Sequence, residues 1–328
     1  MSDNCSQISG DGATPALSVL MTVFNDSPVF LKKAVDSVLG QTFEDFEFLI
    51  LDDGSTEPRT IEALHRIAEM DARIRMQWEP HRGLTKTLNV GLSQCRAPLV
   101  CRHDADDWSS PDRFLRQIDF LSENDHLALV GSAVELCQEN GATLWTQQLP
   151  HRSWEVLEAF PDRNPFCHGA ICFRTDAARK IGGYNEAYNC SQDYDFTWRL
   201  SERFGGANLA EVLYFHRRNV ASISSRKSVE QAQARFMAQY LAAQRAKGIP
   251  EDAAAALTAA IASVSASRGN TLLRAGDQEL LSGHYAAALK CYLLSIIRTP
   301  FLARPYLKAL RWFVFVLSPR RRASLFGH

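Results

Sequence analysis

Three carboxylates fall within four residues at the end of an apolar run, at Asp104, Asp106 and Asp107. Side chains two positions apart in an extended segment point to the same side, which would bring Asp104 and Asp106 together. Such a pair suits a hard divalent cation, Mg²⁺ or Mn²⁺, which commonly bridges to phosphate. The other interpretation is a solvated acidic turn that leads into a helix beginning at Ser110.

Two further apolar runs also end in polar clusters. The first ends at Phe24 and Asn25, and residues 52–55, Asp-Asp-Gly-Ser, follow the second. One of these aspartates is suited to accept the N–H of a nucleobase, with the ring of Phe24 stacked on that base. An Asp-Gly-Ser turn is common on its own, so it indicates a nucleotide site only together with the acidic cluster.

The elements that would position these clusters alternate between short apolar runs and amphipathic segments. We predict strands at 17–24, 46–51, 74–78 and 99–103, helices at 28–39, 57–70 and 84–92, and a fourth helix from Ser110 to about Glu123. This alternation predicts an α/β fold with a mostly parallel sheet flanked by helices. The ligand of such a sheet lies at the carboxyl ends of its strands.

Composition narrows the class of protein. The chain has 328 residues, of which 46% are hydrophobic and 22% charged, as in a soluble globular protein with one large domain and an appendage. The formal net charge of −1 provides no basic field that would gather nucleic acid, so no nucleic-acid partner is expected. None of the eight cysteines forms a Cys-x-x-Cys pair, which favours free thiols in a reducing compartment.

We expect three regions along the chain: a flexible N-terminal tail over residues 1–15, a catalytic domain over 16–225 and an all-helical region over 226–328. The tail lacks the basic start and apolar run of a signal peptide. No apolar stretch reaches the roughly 20 residues needed to span a bilayer. The sequence therefore predicts a cytoplasmic protein.

Six short motifs follow one another along the first two-thirds of the chain. They are residues 18–25 (SVLMTVFN), 52–55 (DDGS), 82–91 (RGLTKTLNVG), 104–113 (DADD followed by PDR), 165–186 (PFCHG followed by GGYNE) and 192–200 (QDYDFTWRL). In this order and spacing they resemble the family 2 glycosyltransferases of GT-A fold, an inverting type that assembles bacterial surface polysaccharides. Each motif alone is weak, but the ordered set is specific.

The resemblance implies a donor site for a nucleotide sugar, most commonly a UDP-sugar in this family. Asp53 would bind the base, Asp104 the ribose side, and two basic residues the phosphates. The residues implied in donor binding are Thr22, Phe24, Asn25, Asp53, Arg82, Lys86 and Asp104. Phe24 stands where the family often has Tyr, which keeps the stacking ring but lacks the hydroxyl group.

The resemblance also implies a metal-dependent reaction with a single catalytic base. Asp106, assisted by Asp107, would bind Mn²⁺ or Mg²⁺ on the diphosphate, and Asp193 matches the base. Once a metal and basic residues offset the charge of the departing diphosphate, only the acceptor hydroxyl proton has to be removed. Direct attack from the opposite face inverts the anomeric carbon, as the resemblance implies.

The acceptor is expected to be a saccharide or a lipid-linked saccharide. His168 and Gln192 are the candidates on the acceptor side, although a lone histidine is more often structural. Gln192 stands where much of the family has Glu, and a neutral neighbour removes a like charge from beside Asp193.

The C-terminal stretch 280–328 contains eight Lys or Arg residues and no Asp or Glu. It also contains the apolar run 312–317, WFVFVL. Cationic and apolar residues mixed in this way suit peripheral contact with the anionic inner surface of a membrane. The alternative is a pair of helices packed on the catalytic domain, with the basic residues simply solvated.

Two other functions compete with glycosyl transfer. A nucleotidyltransferase can use a similar sheet and metal site, but it would normally bring a Gly-rich, basic loop after the first strand, and residues 22–27 contain no Gly, Lys or Arg. A non-catalytic helical scaffold would not need to retain Asp53, Asp104, Asp106 and Asp193. A dinucleotide-binding oxidoreductase is disfavoured because no G-x-G-x-x-G motif follows the first strand.

Overall fold

The computed structural model describes residues 14–217, 228–281, 284–298, 306–307 and 309–310. The chain divides into two compact units, Met1–Arg226 and Lys227–His328. Nearly all of the expected N-terminal tail, residues 1–13 of 1–15, lies outside the described residues.

The first unit is built on one nine-stranded sheet, and the half that comes first in sequence is parallel. Its strands are β1 (Leu17–Val23), β2 (Phe46–Asp52), β3 (Ile74–Trp78) and β4 (Leu99–Asp104). They pair in the order β3-β2-β1-β4. The helices that follow these strands are α1 (Pro28–Leu39), α2 (Pro58–Ala68), α3 (Leu84–Gln94) and α4 (Arg113–Glu123).

The second half of the sheet is mixed. Its strands are β5 (Trp108–Ser109), β6 (Leu129–Cys137), β7 (Thr143–Gln147), β8 (Cys172–Arg174) and β9 (Gly206–Arg217), with helices α5 (Ser153–Ala159), α6 (Thr175–Lys180) and α7 (Gln192–Phe204). Strand β8 runs antiparallel to β4, and the sheet continues through β6 and β9 to β5. The predicted α/β fold of GT-A type is confirmed, and the sheet is parallel from β1 to β4.

Burial on both faces explains why the first strands are continuous apolar runs. Every residue of β1 and β2 is buried, as expected for parallel strands covered by helices. Helix α1 covers one face with Leu31, Ala34, Val35 and Val38, which recur at helical spacing. The carboxyl ends of β1, β2 and β4 therefore open at one edge of the sheet, where the polar clusters lie.

The predicted start of the fourth helix at Ser110 is wrong. Helix α4 begins at Arg113, after Asp112, and no side chain caps its first turn. Instead, the Asp112 carboxylate accepts a hydrogen bond from Thr42 Oγ1 at 3.1 Å. The buried guanidinium of Arg113 donates to the backbone oxygen of Arg102 at 2.8 Å and so fastens the helix to the end of β4.

The second unit is helical over its described residues. It contains α8 (Ser228–Ala246), α9 (Ala253–Leu281) and α10 (Tyr285–Arg298), with Ala288, Tyr292 and Ala309 in a small buried cluster. In the described part of the chain, no helix is long and apolar enough to cross a bilayer. The apolar run 312–317 and several of the basic residues, namely Arg304, Lys308, Arg311, Arg320, Arg321 and Arg322, lie outside the described residues.

Candidate active site

Asp104 lies at the carboxyl end of β4 in a closely packed setting. Its Oδ1 accepts a hydrogen bond from Arg102 Nη2 at 2.6 Å, and its backbone N–H donates to Tyr214 Oη at 3.1 Å. Burial is the largest single effect and would raise the pKa of the carboxyl group, but the charge of Arg102 and the neighbouring histidines together outweigh it, and the pKa is lowered. Gly169 leaves room for this arrangement, since a Cβ there would lie 2.6 Å from Asp104 Oδ2 and 2.1 Å from Tyr214 Oη.

Asp106 presents the least compensated carboxylate of the acidic cluster. Burial, followed by the charges of Asp107, Asp104 and Asp26, raises its pKa to about 7. Asp26 behaves in the same way, because burial and, to a smaller extent, the Asp104 charge raise its pKa to about 6. Among the described residues, no hydrogen-bond donor reaches the Asp106 carboxylate. A site of this kind attracts a cation.

Both carboxylate oxygens of Asp107 make hydrogen bonds within the protein. Asp107 is fully buried, and its Oδ1 accepts a hydrogen bond from the backbone N–H of Arg217 at 2.7 Å. Its Oδ2 lies 3.0 Å from His216 Nδ1, and this hydrogen bond raises the pKa of His216 to about 9. Asp107 therefore fastens the acidic loop to the end of β9, and Asp106 is left as the more available oxygen donor.

The carboxylates fit a divalent cation whose remaining ligands come from elsewhere. The described residues include no group of three or more His, Cys, Asp or Glu side chains placed to hold a metal alone. Mg²⁺ and Mn²⁺ in phosphate sites typically take one or two carboxylates and complete their shell with water and phosphate oxygens. Asp106, with Asp104 two residues earlier, matches that donor set.

Asp53 follows β2 and organises the loop before α3. Its Oδ1 accepts hydrogen bonds from the Arg82 backbone N–H at 2.9 Å and from Thr87 Oγ1 at 2.6 Å. Its Oδ2 accepts from the Gly83 backbone N–H at 3.0 Å. This anchoring was not foreseen from the sequence, in which Asp53 and residues 82–87 belong to separate motifs.

The ring of Phe24 is 43% exposed and already has a stacking partner. The imidazole of His81 stacks on it, with ring centroids 4.2 Å apart and planes 20° from parallel. His81 Nδ1 also lies 2.9 Å from the backbone oxygen of Asp53 and 3.0 Å from its Oδ2. Phe24, Asp53 and His81 thus form one cluster at the edge of β1 and β2.

The other residues implied in donor binding surround this edge. Thr22 is buried and lies beside Asp104 in the register of β1 and β4. Asn25, with a left-handed φ of 56°, accepts hydrogen bonds through Oδ1 from the backbone N–H groups of residues 56 and 57, at 2.8 and 2.9 Å. Arg82 pairs with Glu79 at 2.8 Å, and the Lys86 side chain is exposed. The Asn25 side chain thus shapes the loop before α2.

Asp193 lies in the first turn of α7, which begins at Gln192. Its Oδ2 accepts a hydrogen bond from Asn164 Nδ2 at 2.8 Å. Burial raises the pKa of Asp193, and the Asp104 charge raises it further, although hydrogen bonds from the helix N-terminus and Asn164 oppose the shift. The Asp104 and Asp193 carboxylates therefore lie within electrostatic reach, although 89 positions separate them. Gln192 beside them is buried.

His168 is held next to the same cluster. Its Nε2 lies 2.9 Å from Tyr184 Oη. Burial and, after it, the charge of Arg102 lower the pKa of His168 to about 3. The imidazole is neutral near pH 7, so it can take part in hydrogen bonds but carries no charge there.

Several residues at this site escaped the sequence reasoning. Asp26 directly follows the first cluster, and Arg102 precedes Asp104 by two positions in an extended strand, so the period-two rule would have placed it beside Asp104. His81 adjoins the motif that begins at Arg82. Asn164 had no local signal, because its contact with Asp193 spans 29 residues.

The chain also matches known proteins in sequence. Residues 18–182 match the sequence profile of the family described as glycosyl transferase family 2. The chain is similar to the O-antigen biosynthesis glycosyltransferase WbnJ of Escherichia coli, with 29% identity over 61% of this chain and 79% of that protein. It is also similar to the Escherichia coli UDP-Gal:alpha-D-GlcNAc-diphosphoundecaprenol beta-1,3-galactosyltransferase, with 30% identity over 69% of this chain and 83% of that protein.

A solved structure extends the likeness to the fold. The mannosyltransferase PcManGT of Pyrobaculum calidifontis, solved in complex with GDP-Man and Mn²⁺, matches with a TM-score of 0.54 at 16% identity. The match covers 91% of this chain and 88% of that chain. At this identity the likeness supports a shared fold.

Proposed function

The chain belongs to glycosyl transferase family 2, and from this premise we propose that it transfers a sugar, with inversion, from a nucleoside-diphosphate sugar to an acceptor hydroxyl in surface-polysaccharide assembly. The donor is held at the carboxyl ends of β1, β2 and β4. The acceptor lies between that edge and the first turn of α7.

The observation that carries the proposal is the electrostatic link between the two sides of the site. The Asp104 charge adds a small contribution to the raised pKa of Asp193, so the carboxylate at the end of β4 lies within electrostatic reach of the one at the start of α7. A nucleotidyltransferase needs no base in that position. A scaffold has no use for carboxylates whose pKa values are raised by burial and mutual repulsion.

The residues divide the chemistry between them. Asp106 and Asp104 would hold Mn²⁺ or Mg²⁺, and that cation supplies positive charge against the diphosphate as it departs. Asp193 accepts the proton of the attacking hydroxyl, and its raised pKa makes it a stronger base than an exposed aspartate. Asn164 fixes the direction of the Asp193 carboxylate. Neutral His168 lies where it can orient the acceptor.

The donor class follows from the cluster of Phe24 and Asp53. A ring for stacking beside an anchored aspartate suits a nucleobase, and Thr22 and Asp104 adjoin the position expected for the ribose. One relative is named for a UDP-sugar, and the structural neighbour was solved with GDP-Man. We propose a UDP-sugar as the donor.

The acceptor proposed here is a saccharide carried on a lipid. One relative is named for a diphosphoundecaprenol-linked acceptor. In this chain, Leu293 and Ile297 of α10 are exposed, and residues 280–328 contain no acidic residue. An exposed apolar face within a cationic stretch suits peripheral contact with an anionic membrane surface, where such an acceptor would be presented.

A direct test measures release of nucleoside diphosphate and transfer of sugar with UDP- and GDP-sugars, in Mn²⁺ and in EDTA. Thermal unfolding with each nucleoside diphosphate identifies the base, since a ligand at about 100 times its Kd adds roughly 2.7 kcal/mol. We expect one nucleotide to stabilise the chain only with metal, and the shift to disappear in Asp106→Asn. Activity that is unchanged in EDTA would contradict the proposed metal dependence.

Membrane contact is tested by sedimentation with vesicles of anionic or neutral phospholipid. We expect binding to anionic vesicles that weakens with salt and is reduced in Ile297→Glu. The matched control is Ile249→Glu, which changes an exposed isoleucine of the same unit outside α10. Equal binding of both variants would mean that α10 is not the contact surface.

A further inference from the structure

The imidazole of His81 makes two contacts that a donor nucleobase is expected to make. Its ring stacks on Phe24 at 4.2 Å between centroids, with the planes 20° from parallel. Its Nδ1 lies 2.9 Å from the backbone oxygen of Asp53 and 3.0 Å from Oδ2. Both partners are acceptors, so Nδ1 must carry the proton. A flat heterocycle with a ring N–H therefore stands against Phe24 and Asp53.

The backbone around this contact is fixed, whereas the side chain of His81 has room to leave. A Cβ at Gly54, whose φ is +72°, would lie 2.5 Å from the backbone nitrogen of His81, so the two loops touch there. Hydrogen bonds from Arg82 and Gly83 to Asp53 hold the next two residues. The His81 side chain is 56% exposed, so rotation about its own bonds takes it into solvent.

The position that His81 would vacate is lined by buried acceptors. The Asp53 side chain is only 4% exposed, and its backbone oxygen is covered by the imidazole. When the imidazole leaves, the backbone oxygen of Asp53 loses this hydrogen bond, whereas Oδ2 keeps the one from the Gly83 N–H. A buried acceptor that loses its donor is costly, so a ligand that replaces His81 binds best when it supplies an N–H in its place. The stacking surface of Phe24 requires that ligand to be flat and aromatic.

We propose that His81 is a specificity-determining residue: it occupies the nucleobase position in the donor-free chain, and a base displaces it by offering a ring N–H to Asp53. The inference rests on the proposed donor site and adds the class of base that this site accepts. Uracil, thymine and guanine carry a ring N–H on the edge that faces such acceptors. Neutral cytosine and adenine present a ring nitrogen without hydrogen there, which would leave two acceptors face to face.

Competition of this kind lowers the apparent affinity for the donor. If the vacated state makes up one part in ten of the free chain, binding is about tenfold weaker than to a permanently open site. The His81→Ala variant should therefore bind UDP or GDP about three- to tenfold more tightly than the parent. Pyrophosphate has no base, so its affinity should not change.

The test is calorimetric titration with UDP, GDP, CDP, ADP and pyrophosphate, in the presence of Mg²⁺. The matched control is His65→Ala, because His65 is also an exposed histidine against an aromatic ring, with its centroid 4.6 Å from that of Trp78. Tighter binding of UDP or GDP by His81→Ala alone supports the proposal. Weaker binding would mean that His81 contacts the bound base, and unchanged binding would mean that the imidazole does not compete with the base. Either result overturns the proposal.

A second measurement judges His81 without relying on affinity. In the free chain, the imidazole carbon-bound protons should show an upfield ring-current shift in the NMR spectrum, absent from Phe24→Leu, and saturating nucleotide should remove it. No such shift in the free chain, or one that persists at saturation, overturns the proposal. If no nucleotide binds any variant, the proposed donor function fails as well. If the upfield shift also persists in the presence of nucleotide, His81 remains stacked on Phe24 and is not displaced, which overturns the inference too.

Discussion

Asn164 holds the candidate base from a separate part of the chain: its Nδ2 donates a hydrogen bond to Asp193 Oδ2 at 2.8 Å. The amide cannot easily turn around, because its Oδ1 accepts a hydrogen bond from the backbone N–H of Phe166 at 3.2 Å. Thr197 Oγ1 lies 3.2 Å from the same oxygen, but it donates its proton to the backbone oxygen of Asp193 at 2.8 Å. The segment between α5 and β8 thus fixes the direction in which Asn164 holds the base.

Replacing Asn164 with Ala should impair the base without removing it. The hydrogen bond from Asn164 lowers the pKa of Asp193, so its loss raises that pKa further. The base acts only when ionised, so the acid limb of kcat/KM should move to higher pH and kcat should fall about 10- to 100-fold. Rate measurements across pH test this, with Asn124→Ala as a control outside the site. An acid limb that does not move would argue against Asp193 as the titrating base.

Replacing Asp193 with Asn should abolish transfer and spare donor binding. An amide of the same shape keeps the contact surface but cannot accept the hydroxyl proton, which corresponds to a loss of at least about 100-fold in kcat. Titration with the nucleoside diphosphate should give the parent Kd. The control is Asp176→Asn in the first turn of α6, which changes the same residue type at another helix start. Transfer near the parent rate would assign the base to another residue.

Gly169→Ala should damage the site through steric overlap. The added Cβ would lie 2.1 Å from Tyr214 Oη and 2.6 Å from Asp104 Oδ2, so Asp104 must move. We expect loss of metal-dependent donor binding and a lower melting temperature. Gly182→Ala is the matched control, because its Cβ meets nothing within 4 Å and only its φ of +81° is strained. The control should lose about 1 kcal/mol of stability and keep donor binding. Similar donor affinity in both variants would show that Asp104 tolerates the displacement.

The first half of the fold was predictable because its signals are local. Strands β1, β2 and β4 are unbroken apolar runs, and the helices between them show one apolar face each, so their bounds were predicted within a few residues. The start of α4 was not, because Ser110 has the composition of a cap but its backbone oxygen accepts a hydrogen bond from Gln41 Nε2 at 2.6 Å. A contact across 69 residues overrode the local preference.

Prediction of the site was limited in the same way. Residues at strand ends were found because parallel strands bring their carboxyl ends to one edge, which needs no knowledge of distant contacts. What each side chain touches there depends on loops far apart in sequence: His81 stacks on Phe24, and Asp107 accepts hydrogen bonds from β9. The residue types within each motif do not predict these contacts between distant parts of the chain.

The carboxylate cluster should make the metal-free chain less stable as the pH rises. The pKa of Asp106 is raised from 3.8 to about 7, chiefly by burial and then by its acidic neighbours. The folded state therefore binds more protons than the unfolded state between these two values, and stability falls as pH rises through that window. Asp106→Asn removes the free-energy cost of holding an ionised carboxylate at this buried position. Its gain in stability should be absent below about pH 4, grow towards about pH 7 and remain constant above it.

The size and the metal dependence of this gain test its cause. The gain should raise the melting temperature of the variant by several degrees above pH 7 for a unit of this length. It is measured by thermal unfolding in EDTA, with Asp36→Asn as the control, since exposed Asp36 only pairs with Lys32 and should change stability by less than about 0.5 kcal/mol. Mn²⁺ should stabilise the parent but not the variant, so the difference in melting temperature between the two should become smaller when Mn²⁺ is added. A gain that is independent of pH would mean that Asp106 is not destabilised by charge, and the cation site would then have to be sought elsewhere.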